Sequence, residues 1–225
     1  MPINLFSVMF LFALVFLLIS RFTVERIEDN HYAQRSSFFN HYKVSRGDIV
    51  FVGDSITDGG AWEEIFPGVP LKNRGINADN TFGVLKRMDD IVCCEPLAIF
   101  LLIGTNDLPW FTYKNNTQIL KEYEQILVRC HELSPHTRVF VQSILPRTKS
   151  YSRRIIKLNA QLELLAARHD YVYVDLYSAF ADADGAMQSH LTNDHLHLMA
   201  EGYIRWAEIL QPHIAKLLAD QSQDK

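Results

Sequence analysis

The hydrophobic pattern of this chain changes character once. From Leu5 to Ile19 it reads LFSVMFLFALVFLLI, with Ser7 as the one polar residue. As a helix, Pro2 to Ser20 would rise ~28 Å, close to the ~30 Å hydrocarbon thickness of a bilayer. A buried core helix carries an apolar stripe on one side, whereas this segment is apolar all round. It also lacks the basic n-region and small-x-small site of a cleaved signal. The pattern predicts a transmembrane anchor over residues 1–20, with a cleaved signal segment as the alternative, then a linker and first helix over 21–47. Arg21 and Arg26 follow the run, and by the positive-inside tendency they argue for a domain on the cytoplasmic side.

After this segment, short apolar runs alternate with longer amphipathic stretches. Strands are expected at Asp48–Val52, Pro70–Lys72, Leu97–Ile103, Arg138–Ser143 and Tyr171–Asp175. Helices are expected at Thr81–Val92, Asn116–Leu133, Ser152–Arg168 and Ala200–Leu218. Runs such as IVFV and LAIFLLI are apolar on successive residues, as strands buried on both faces should be. The alternation predicts an α/β fold, a parallel sheet with helices on both sides built from right-handed crossovers. In such sheets ligands bind beyond the carboxyl ends of the strands.

Composition narrows the class. The chain has 225 residues, 48% of them hydrophobic and 21% charged, with a formal net charge of −4. That excludes a disordered chain, and the lack of surplus Lys and Arg argues against a nucleic-acid partner. Three cysteines, Cys93, Cys94 and Cys130, make no disulfide framework in a chain large enough to bury a core. Cys93 and Cys94 are expected to serve as small apolar residues beside a buried strand.

Polar clusters follow three of the expected strands, and a fourth precedes the last helix. The first is Gly53-Asp54-Ser55-Ile56-Thr57-Asp58-Gly59-Gly60. A serine there is placed for nucleophilic attack, with amide N–H groups beside it, or it caps a helix. Gly-x-Ser-x-Gly is absent, because Thr57 stands where glycine is needed. The second cluster, Asn73-Arg74-Gly75-Ile76-Asn77-Ala78-Asp79-Asn80, supplies Asp79 or Asn80 as a helix cap. In the third, Gly104-Thr105-Asn106-Asp107, Asn106 is a side-chain donor for an oxyanion or forms an Asx turn. In the fourth, Asn193-Asp194-His195-Leu196-His197, Asp194 can orient the His197 imidazole as a general base. The same string allows a metal site built from His190, Asp194, His195 and His197, or plain surface histidines. A serine, oxyanion donors and an Asp–His pair around one crevice form the constellation of a serine esterase.

At these residues the sequence resembles the SGNH (GDSL) hydrolase family. It is most similar to the branch holding platelet-activating-factor acetylhydrolase catalytic subunits and bacterial acetylesterases. The resemblance runs from about Asp48 to Tyr203 and rests on VFVGDSITDGGAWEEIFPG, LKNRGINADNT, FLLIGTNDL and DGAMQSHLTNDHLHL. It implies a flavodoxin-like three-layer α/β/α sandwich with a five-stranded parallel sheet, spanning residues 48–220. It also implies a Ser55–His197–Asp194 triad and no metal or other cofactor. The oxyanion hole would be made by the Ser55 N–H, the Asn106 side chain and a third N–H. In the family that third donor belongs to a glycine, where this chain has Ala78, whose N–H can serve if φ is negative, a positive φ being strained; Gly75 is expected to serve the turn. The implied substrate is a short-chain acyl ester, such as an acetyl ester of a sugar or lipid, or else a lysophospholipid-like ester; the alternative from another class is a non-catalytic binding module on the same fold. The resemblance slightly favours an extracytoplasmic domain held to the membrane by its N-terminal helix.

Other side chains carry lesser expectations. Trp62, Phe66, Trp110, Phe111 and Tyr113 could narrow an acyl pocket or belong to the core. Asp54 and Asp107 are expected to brace loops by accepting N–H bonds, and Asp58 has no assigned role. Arg147, Lys149, Arg153 and Arg154 read as a solvated helix start.

Overall fold

The computed structural model describes residues 5–109, 112 and 114–223. The chain divides into two compact units between His41 and Tyr42. The first contains one 37-residue helix, α1 (Leu5–His41), which runs through the expected boundary at residue 20 without a break. Within it the Arg35 guanidinium lies 4.7 Å from the centre of the Phe39 ring. The described apolar residues at its start, Met9 to Phe16, are exposed. Among the described residues no helix is long and apolar enough to cross a membrane. The transmembrane anchor expected over residues 1–20 therefore finds no support in the structure.

The second unit is a three-layer α/β/α sandwich. Its strands are β1 (Ile49–Gly53), β2 (Leu71–Gly75), β3 (Ala98–Leu102), β4 (Arg138–Gln142) and β5 (Val172–Val174). All pair in parallel, in the order β2-β1-β3-β4-β5. This is the flavodoxin-like doubly wound order, with its switch point between β1 and β3.

Successive strand residues face opposite layers, so the apolar runs feed two cores. Val50, Val52, Ile99, Leu101, Val139 and Val141 pack with α4 (Thr81–Val92), α5 (Asn116–Leu133) and α6 (Lys149–Arg168). On the other face Phe51, Phe100 and Phe140 join α8 (Ala200–Gln223) through Trp206, Leu210 and Ile214. Trp62 and Phe66 lie in this second core, 2% and 3% exposed. They pack against Phe51 with ring centres 4.5 and 6.3 Å away, so they are structural and do not line a pocket. Trp110, Phe111 and Tyr113 lie outside the described residues.

Three short helical segments escape any periodicity argument. They are α2 (Ser55–Asp58), α3 (Trp62–Ile65) and α7 (Tyr177–Phe180), each four residues long.

Candidate active site

The carboxyl ends of β1, β2 and β3 converge on one crevice. Gly53 ends β1, and a Cβ there would lie 2.2 Å from Thr57 Oγ1 and 2.4 Å from the Leu102 carbonyl. Glycine therefore lets the chain turn at once into α2. Asp54 caps that helix by accepting the Ile56 N–H at 3.0 Å, which makes Ser55 its first residue. The Ser55 N–H belongs to the first turn, where no helical acceptor exists.

Ser55 Oγ lies 3.0 Å from His197 Nε2. His197 Nδ1 lies 2.7 Å from Asp194 Oδ2. The other carboxylate oxygen, Oδ1, accepts the backbone N–H of His197 at 2.8 Å and of Leu196 at 2.9 Å. Asp194 thus fixes both the imidazole and the loop that carries it. Partial burial pushes its carboxyl up, but the His197 ring, then the backbone N–H groups, hold it down at about 2. A carboxylate so placed selects the tautomer with a proton on Nδ1, leaving Nε2 to accept from the serine hydroxyl. His195 sits in the same loop in a left-handed conformation, φ +60°. Among the described residues no group of three or more His, Cys, Asp and Glu side chains could hold a metal ion. The string from His190 to His197 is thus not gathered into a ligand set.

The segments after β2 and β3 stand on either side of the end of β1. After β2 the Asp79 N–H donates to the Ile76 carbonyl at 3.1 Å, closing a turn whose third residue is Ala78. Ala78 has φ +60°, the value such a turn demands and glycine supplies without strain. The Asn106 amide donates to the Asp79 carbonyl at 2.9 Å. An asparagine amide has two N–H groups, so this bond orients the side chain and leaves one N–H to offer. Gly75 does not serve the turn as expected. A Cβ there would lie 2.2 Å from the Asp58 nitrogen, so glycine lets β2 end flush against α2. Asn80 caps α4 by accepting the Gly83 N–H.

Beneath the crevice lie three buried carboxylates, Asp54, Asp79 and Asp107. Asp54 and Asp107 accept backbone N–H bonds, from Ile56 and Thr81, as expected; the cations that hold Asp79 and Asp107 were not foreseen. Arg87, buried on α4, bonds Asp79 Oδ2 at 2.9 Å and also the carbonyls of Arg74 and Gly53. It ties the ends of β1 and β2 to the second-cluster turn. Asp107 accepts the Thr81 N–H and hydroxyl, and Lys114 Nζ at 2.6 Å. Lys114 also pairs with Glu122 at 2.7 Å. Among the described residues no cation pairs with Asp54, and its Oδ2 has no hydrogen-bond partner. Burial pushes its carboxyl up to about 7, against the Ile56 hydrogen bond and with the Asp79 and Asp107 charges adding to the rise.

The basic run is less solvated than its composition suggests. Arg154 donates to the carbonyls of Leu108 and Lys114 and to Asn116 Oδ1, pinning the loop after Asn106. Arg147 reaches the Thr105 carbonyl at 3.3 Å. Lys149 does lie at the surface, paired with Asp184.

The family model described as GDSL-like lipase/acylhydrolase matches residues 51–205, a span that contains every residue of this crevice. The chain belongs to that family. It is accordingly a hydrolase acting on esters. Among curated relatives, the rat platelet-activating factor acetylhydrolase IB subunit alpha1 is 30% identical over 193 residues, covering 80% of this chain and 81% of that protein. The rat subunit alpha2 is 26% identical over 209 residues, covering 88% and 89%. Among solved structures, a GDSL-like lipase from Bacteroides thetaiotaomicron superposes with a TM-score of 0.73 at 22% identity, covering 83% of this chain and 98% of that one. An acetylxylan esterase from Geobacillus stearothermophilus gives 0.63 at 18% identity, covering 76% and 95%. These two share the fold.

Proposed function

We propose that this chain is a serine esterase that cleaves short-chain acyl esters, acetyl esters of a sugar or lipid above all, through an acyl-enzyme. The observation that carries the reading is the continuous hydrogen-bonded chain from Ser55 Oγ through His197 to Asp194. His197 Nε2 takes the hydroxyl proton as Ser55 Oγ attacks the ester carbonyl carbon. The Asp194 carboxylate stabilises the imidazolium so formed, and its depressed pKa keeps it ionised throughout the working range. The tetrahedral oxyanion receives hydrogen bonds from the Ser55 and Ala78 N–H groups and from the second Asn106 N–H. His197 then passes the proton to the leaving alkoxide. Water, activated by the same imidazole, releases the acyl group and restores Ser55.

Ala78 keeps the left-handed backbone that a glycine would take, so its N–H retains the direction set by the turn. The acetyl preference rests on the relatives named for acetyl substrates, since Trp62 and Phe66 are core residues. A fluorophosphonate probe tests the reading. It should label wild type once per chain, at Ser55, and leave Ser55→Ala unlabelled. Labelling elsewhere, or equal labelling of the variant, would remove Ser55 from the nucleophile's role. Chelator should leave ester turnover unchanged.

A further inference from the structure

At the end of α4, between the second and third polar clusters, two cysteines stand side by side. Cys93 is the C-cap of α4, its N–H bonded to the Asp89 carbonyl at 3.0 Å. Cys94 follows, and Glu95 then takes φ +47°, which turns the chain toward β3. The two sulfurs lie 3.5 Å apart. Cys93 is exposed and Cys94 half-buried, so these thiols are not the small apolar core residues their sequence context suggested. The contact is close because the chain turns here; in a strand, neighbouring side chains point to opposite faces.

We propose that Cys93 and Cys94 form a two-thiol binding site for a trivalent arsenic centre. Sulfur bonds of ~2.3 Å, the length of a zinc–thiolate bond, meeting at about 100° span about 3.5 Å. That is the observed separation, and trigonal-pyramidal arsenic has such an angle. A linear two-coordinate centre with the same bond length would need sulfurs ~4.6 Å apart. A structural zinc ion asks for four protein ligands, and no group of three candidate ligands exists among the described residues. A disulfide is disfavoured by the backbone, since adjacent Cα atoms lie ~3.8 Å apart and disulfides prefer ~4.4–6.8 Å. An arsenical needs two thiolates and brings its own third substituent. With an arsine oxide, R–As=O, the two S–H bonds break, two As–S bonds form and one water leaves. No electrons are exchanged.

The test uses the full, reduced chain and phenylarsine oxide, read by intact-mass spectrometry and by titration of accessible thiols. Wild type should gain one phenylarsenic group with loss of two hydrogens, and two thiols should disappear together. The adduct should survive excess monothiol and be stripped by 2,3-dimercaptopropanol. Cys93→Ser and Cys94→Ser should each lose the stable adduct while keeping wild-type ester turnover, which reports that they fold. Cys130→Ser, altering the buried cysteine, should keep the adduct. Absence of the adduct from wild type, or its survival in either single variant, would overturn the proposal.

Discussion

The side chain of Asn106 donates to the backbone carbonyl of Asp79 at 2.9 Å, joining the loop after β3 to the turn after β2. The two segments follow β2 and β3, the strands on either side of β1, whose end carries Ser55. The same turn holds Ala78 at φ +60°. Strain is therefore stored at the residue proposed as the third oxyanion donor. A left-handed alanine costs about 1–2 kcal/mol, and glycine recovers part of this at an entropic cost in the unfolded chain. Ala78→Gly should raise stability by about 0.5–1 kcal/mol in urea denaturation and keep kcat within about twofold of wild type. Ala78→Val, with a branched side chain in the same conformation, should lower both.

Asp194 holds the His197 ring through Oδ2 and the backbone of its loop through Oδ1. Asp194→Asn would let the side chain donate to Nδ1, favouring the tautomer that presents a proton to Ser55. By comparison with the serine-protease triad, kcat on p-nitrophenyl acetate should fall about 10³–10⁴-fold. Because the folded-state pKa is depressed from 3.8 to about 2, the stability that ionised Asp194 contributes is present above pH 3.8. It is lost as pH falls through 2. Activity lost between pH 7 and 5 must therefore come from another group.

Asp54 has the opposite sign. Its folded-state pKa is raised from 3.8 to about 7. The native state thus keeps a proton that the unfolded chain releases above pH 3.8. Its contribution to stability is fully present below 3.8 and declines as pH rises to 7, by on the order of 4 kcal/mol. Asp54→Asn keeps the acceptor for the Ile56 N–H and removes the titration. Urea midpoints at pH 5 and pH 8 should differ less in the variant than in wild type, and at pH 8 the variant should be the more stable.

Arg87 provides a different kind of constraint, because it is buried and satisfies three acceptors at once. Arg87→Met would leave the Asp79 carboxylate without its cation. Breaking a buried pair by removing one partner costs about 3–5 kcal/mol. Chemical denaturation should show a loss of that size.

The sheet was legible because strands buried on both faces must be apolar on successive residues, and IVFV and LAIFLLI are. Thr81–Val92 was bounded by Asn80, whose cap the structure retains, whereas the Asn115 cap of α5 emerged only in the structure. The proximity of Ser55, His197 and Asp194 was legible from the motifs that carry the resemblance. Arg87 was not, because on a helical wheel it reads as an ordinary charged position. Its burial depends on where β1 and β2 end. The close approach that demands glycine at position 75 and the left-handed turn at Ala78 likewise arise from contacts between segments. The continuity of α1 through residue 20 was missed because the change from apolar to charged residues looks like a boundary, yet nothing in those residues breaks a helix.

The central claim is that Ser55 is the nucleophile of an acyl-transfer reaction. Its most direct test is the hydrolysis of p-nitrophenyl esters from acetyl to octanoyl, measured for wild type and Ser55→Ala side by side. The account predicts turnover that falls beyond short acyl groups and a loss of at least about 10³-fold in kcat for the variant. Undiminished turnover by Ser55→Ala would contradict it.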